Sequence, residues 1–126
     1  MKFTHWLMSA ALLASATAAQ ALDIKPYTAT ALAAAQQAGK PVALHFHADW
    51  CPTCKAQAKS LAVLNAEPGL DVLLLVADYD TEKALKSRFK VRGQSTLVVL
   101  HGDQERARLV GETSTVAIRA ALKSGL

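Results

Sequence analysis

The stretch PVALHFHADWCPTCK, residues 41–55, decides how the rest of the chain is read, because an apolar run, a turn and a cysteine pair follow one another in it. Residues 42–47 are short, apolar and partly β-branched or aromatic, which predicts a buried strand. From Pro52 onward, PTCKAQAKSLAVLNA (52–66) is rich in good helix formers and stops before Pro68-Gly69. Cys51 and Cys54, the two cysteines of the chain, therefore fall where a strand becomes a helix.

Working outward, YTATALAAAQQAGKP (27–41) predicts a first helix: Thr28 or Thr30 caps its start, Gly39 suits its left-handed end and Pro41 forbids continuation. On the other side, residues 72–77 of DVLLLVADYD are apolar without alternation, as expected of a strand covered on both faces of a parallel sheet. A helix capped by Asp80 or Thr81 should follow, turning Ala84, Leu85 and Phe89 inward. TLVVL (96–100) and ERARLV (105–110) flank Gly102-Asp103, a hairpin signal in which glycine supplies the positive φ of a primed turn. Thr113 or Ser114 then caps a closing helix with Ile118, Ala121 and Leu122 on one face, ending near Gly125. The order predicts an α/β fold, a three-layer α/β/α sandwich with a four-stranded mixed sheet.

The first residues set the compartment. Met1 and Lys2 give a basic start, an Ala/Leu-rich run follows, and AQA (19–21) has the small-x-small pattern of a cleavage site. Residues 1–21 are read as a signal peptide and residues 22–126 as one domain, exported to the periplasm. A retained membrane anchor is disfavoured, because Ser9, Ser15 and Thr17 interrupt a run that falls short of the ~20 residues a span needs. The net charge of +4 comes from scattered basic residues without interleaved aromatics, which excludes a nucleic-acid footprint and leaves no polybasic membrane patch. After cleavage the domain is expected to be free of the membrane and monomeric.

Three chemistries are open to a Cys-x-x-Cys pair. As a staple it is weak: closing a ring of about four residues stabilises by only about 2 kcal/mol, against ~3 for fifteen. As a zinc or copper site it lacks ligands, since no second Cys-x-x-Cys exists and only His45 and His47 lie nearby, without the usual spacing. As a redox pair it has a mechanism. With Cys51 capping the helix and Pro52 in its first position, the positive helix end faces the Cys51 sulfur and lowers its pKa. Cys51 then attacks a disulfide, and Cys54, one turn deeper, resolves the mixed disulfide.

With PVALHFHADWCPTCK, VADYDTEKALKSRFKVRG (76–93), the hairpin and Gly111 before the last helix, the chain resembles the thioredoxin family over almost the whole mature domain. The resemblance implies a thiol-disulfide oxidoreductase whose redox centre is the Cys51-Cys54 pair, the first cysteine exposed and the second buried, with no bound cofactor. Its substrates would be protein thiols or disulfides, and in the periplasm a membrane redox partner would restore the dithiol or disulfide. Trp50, Gln94 and Ser95 would line the substrate groove.

The chain departs from the family pattern at several positions. His45 stands where the family carries a buried aspartate, and is read either as the acceptor of the Cys54 proton or as a core histidine with a satisfied hydrogen bond. Ser95 replaces the cis-proline facing the cysteines, so the Gln94-Ser95 bond is expected to be trans or visibly strained, with the serine able to hydrogen-bond the Cys51 sulfur. Losing that proline also strengthens the alternative, a thioredoxin-fold module that binds copper or zinc through the same cysteines. Lys59 replaces the proline that kinks the active-site helix, and Pro52-Thr53 replaces the Gly-Pro of cytosolic thioredoxins, from which a more oxidising potential is expected.

Overall fold

The structure, a computed structural model, describes residues 21–126; the leader read over residues 1–21 lies, but for Ala21, outside them. The chain runs β1 (Asp23–Pro26), α1 (Ala29–Gln37), β2 (Pro41–His47), α2 (Pro52–Asn65), β3 (Leu73–Asp78), α3 (Lys83–Arg88), β4 (Thr96–His101), β5 (Gln104–Val110) and α4 (Thr115–Lys123). The sheet order is β1-β3-β2-β4-β5. β1 and β2 pair parallel with β3, while β4 pairs antiparallel with both β2 and β5.

The sheet thus has five strands rather than the expected four. The addition, DIKP, is short and mostly exposed, and it forms by pairing in register with Leu73 to Val76 at the sheet edge. It has no alternation to betray it, and its terminal proline is tolerated because an edge strand has one side free of ladder partners.

Period-two alternation along β2 divides the core. Val42, Leu44 and Phe46 pack with Leu32 and Ala35 of α1 and Leu85 of α3. Ala43 points the other way, into a layer with Leu61 and Leu64 of α2 and Ile118 and Leu122 of α4. The sandwich is therefore closed on both faces, and the middle strand β2 carries the site.

Local chemistry sets the element ends. Thr28 and Ser114 accept hydrogen bonds from the third backbone N–H of α1 and α4, and Gly102 (φ 58°) opens the two-residue turn between β4 and β5. α3 differs from expectation. Asp78, not Asp80 or Thr81, takes up the loop N–H of Asp80, and the helix begins only at Lys83. Six residues bury one position fully, Leu85, with Phe89 partly covered, so Ala84 faces solvent. Among the described residues no helix is long and apolar enough to cross a membrane.

Candidate active site

Cys51 is the N-cap of α2. Its extended backbone (φ −93°, ψ 112°) turns the sulfur over the helix start, where it accepts from the backbone N–H of Cys54 at 3.1 Å. Pro52 follows at the first helical position, where its missing N–H leaves no partner wanting. Cys54 is wholly enclosed, one turn in, and α2 runs on unbroken past Lys59. Both thiols are free.

Cys51 is only 2% exposed, so the expected exposed first cysteine is covered instead. The cover comes from Ala48 and from Ser95, whose hydroxyl oxygen lies 3.2 Å from the Cys51 sulfur and 3.0 Å from the Cys54 sulfur. No described peptide bond is cis, and Ser95 holds φ at 63°, a left-handed conformation that costs a non-glycine residue about 1–2 kcal/mol. The expected trans bond at Gln94-Ser95 thus comes with strain at Ser95. Gln94 is half-buried beside it.

Burial is the largest influence on the Cys51 thiol and opposes its ionisation. Hydrogen bonds from Cys54, from Ser95 and from the backbone N–H groups of Cys54 and Thr53 together outweigh it, and the Cys51 pKa falls below the usual thiol value. Cys54 goes the other way: burial first, then its hydrogen bond to Cys51 and the neighbouring charge, hold it protonated beyond the usual range. One thiol is ready to ionise and the other keeps its proton.

Beneath the pair lies Gln57, which sequence reasoning did not single out. Its amide nitrogen donates to the carbonyls of Ser95 and Glu112, each at 2.9 Å, which leaves its oxygen to accept from His45 Nε2 at 2.9 Å. A signal was present, since Gln57 is the one polar residue on the buried face Cys54, Gln57, Leu61, Leu64. His45 is buried and hydrogen-bonds neither sulfur; its Nε2 proton is committed to Gln57. His47, on the same strand face with its ring 5.4 Å from that of His45, faces Asp49 at 3.1 Å.

Burial pushes the His45 pKa down from 6.5 to about 4, against the favourable hydrogen bond to Gln57. Between those values the unfolded chain binds the proton and the folded one does not, so stability rises with pH there. His45 alone should therefore cost the fold roughly 3 kcal/mol as pH drops from above 6.5 towards 4. Urea unfolding at pH 7 and pH 4.5 measures this decline, and His45→Gln, which keeps a donor for Gln57 without titrating, should flatten it.

Trp50 stands out from the surface, 59% exposed, and its indole N–H donates to Asp80 at 2.7 Å. It walls a cavity of about 310 Å³ together with His47, Ala48, Asp49 and Asp78. Among the described residues no three His, Cys, Asp or Glu side chains gather to hold a metal, so the metal-binding alternative finds no third ligand there.

Comparison with known proteins agrees with this geometry. The thioredoxin family model matches residues 25–124. The thiol:disulfide interchange protein DsbD of Ralstonia nicotianae is 35% identical over 105 residues, which cover 73% of this chain and 17% of that protein. Thioredoxin H-type of Brassica campestris is 31% identical over 80 residues, 64% of each chain. The chain thus spans less than two thirds of either relative. The crystal structure of Trxlp from Edwardsiella tarda superimposes with a TM-score of 0.74 at 37% identity, covering 79% of this chain and 98% of that one.

Proposed function

Because the chain belongs to the thioredoxin family, we propose that its dithiol is a redox centre that exchanges disulfides with protein substrates outside the cytoplasm. The observation that carries this reading is the opposed state of the two thiols at one helix start, Cys51 eased towards the thiolate and Cys54 held protonated. Cys51 attacks a substrate disulfide, the substrate leaves one thiolate behind, and Cys54 then displaces the other from the mixed disulfide; run backwards, the steps oxidise a substrate dithiol. The cysteines supply both electrons, so the reaction needs no bound cofactor.

The leader at residues 1–21 supports export to the periplasm, where a membrane protein would pass electrons to or from the dithiol. The domain would act as a monomer. Trp50, exposed beside the cap, and the Gln94-Ser95 loop would form the walls against which a substrate segment lies.

Whatever stabilises the Cys51 thiolate stabilises the reduced protein, so the potential should lie above the thioredoxin value of about −270 mV and below the roughly −120 mV of the strongest oxidants. Equilibration with glutathione buffers measures it. Wild-type protein should also accelerate the reduction of insulin by dithiothreitol; failure to accelerate it, or a pair that does not close reversibly, would remove the proposal.

A further inference from the structure

Ser95 stands between the two sulfurs with its hydroxyl within hydrogen-bond reach of both. A hydroxyl has one proton to donate and lone pairs with which to accept, so it cannot donate to both neighbours at once. With Cys51 as the anion at the helix start, an arrangement that uses every proton has the Ser95 O–H donating to the Cys51 sulfur and the Cys54 S–H donating to the Ser95 oxygen, 3.0 Å away. The contact of the Cys54 sulfur with the Phe46 carbonyl, at 3.9 Å, is much longer, and its other polar neighbour is Cys51 itself.

The backbone holds this oxygen in place. Ser95 N–H donates to the Phe46 carbonyl at 3.0 Å, and the Ser95 carbonyl receives both the Gly111 N–H and the Gln57 amide. Its left-handed φ would suit glycine better, yet the position carries a side chain whose only polar atom meets both thiols. His45 faces Gln57 instead, and Tyr79, packed against the thiols, sends its hydroxyl to the Arg92 carbonyl. His47 and Asp49 pair with each other, and Asp80 holds Trp50. Among the described residues Ser95 is the side chain outside the cysteine pair that lies within hydrogen-bond distance of both sulfurs.

Resting on the disulfide-exchange reading above, we propose that Ser95 is a catalytic residue that carries the Cys54 proton during exchange. When the Cys51 thiolate attacks, a bond forms between Cys51 and one substrate sulfur, and the other substrate sulfur leaves as thiolate. The Cys51 sulfur is then no longer an anion, and the Ser95 proton passes to the departing thiolate as the Cys54 proton moves onto the Ser95 oxygen. The net transfer converts the Cys54 thiol and substrate thiolate into Cys54 thiolate and substrate thiol. Cys54 then attacks the Cys51 sulfur, closes the intramolecular disulfide and releases the second substrate sulfur.

The test uses Ser95→Ala and Ser95→Gly with oxidised glutathione as the disulfide, whose departing alkyl thiolate is basic enough to take the proton. One glutathione is released on attack by Cys51 and a second on resolution by Cys54, and acid quenching followed by mass spectrometry separates the two steps. In both variants the second release should slow about tenfold or more at pH 7, and the gap should close at alkaline pH, where Cys54 loses its proton unaided. Thiolate absorbance should show Cys51 ionising at higher pH in both, by about one unit. Glycine relieves the backbone strain, so a purely structural serine would leave Ser95→Gly as fast as wild type; that result, or slowing equal at every pH, overturns the proposal. The titration needs no substrate, and an unmoved Cys51 ionisation overturns it as well. A wild-type protein that releases no second equivalent points instead to failure of the exchange reading.

Discussion

Cys51→Ser is expected to abolish disulfide exchange, while Cys54→Ser stops it halfway with substrate held covalently. Serine is a good N-cap, so the first variant keeps its hydrogen bond to the backbone N–H of residue 54 and the helix it starts. What it loses is an atom able to ionise near neutral pH and attack sulfur. Turnover of insulin should fall by at least about a thousandfold, some 4 kcal/mol of barrier. In the second variant the nucleophile is intact, so attack proceeds and the mixed disulfide accumulates because no thiolate lies beneath it. Mass spectrometry without reductant should find Cys54→Ser carrying its substrate and Cys51→Ser bare. Insulin reduction surviving in Cys51→Ser would transfer the nucleophile's role elsewhere, and Cys51 would become a mere cap.

The cap itself was legible from local sequence. A strand pattern, Cys51, then Pro52 at a helix start place the sulfur over the backbone N–H groups through contacts within three residues. The hairpin turn and the Thr28 and Ser114 caps are equally local, and they form where read, whereas the cap read at Asp80 or Thr81 does not. What escaped is non-local. The strand Asp23–Pro26 exists because β3 offers an edge, and nothing in DIKP states that. Cys51 is covered because a residue 44 positions away reaches it. Ser95 could be placed opposite the cysteines by resemblance, but its contact with both sulfurs depends on a left-handed φ that no neighbouring residue announces. His45 was readable as buried, yet its partner lies on another element, so sequence left its role divided between proton acceptor and core donor.

That partner, Gln57, makes three hydrogen bonds in and beside the core, and losing them should cost much of the fold's stability. Gln57→Leu keeps a side chain of similar bulk in α2 but removes all three hydrogen bonds of the amide. The Ser95 carbonyl retains the Gly111 N–H, whereas the His45 N–H and the Glu112 carbonyl lose the partners they have here. An orphaned buried polar group costs about 1–3 kcal/mol, so the loss should total about 4 kcal/mol, a large part of the roughly 5–15 kcal/mol by which such domains are stable. Urea unfolding at pH 7 measures it. The double variant His45→Phe with Gln57→Leu should be less damaged than Gln57→Leu alone, because removing both partners leaves no unpaired imidazole N–H in the core. A single variant destabilised by under about 1 kcal/mol, or a double variant worse than the sum of its parts, would mean that packing rather than polar satisfaction holds α2 against β2.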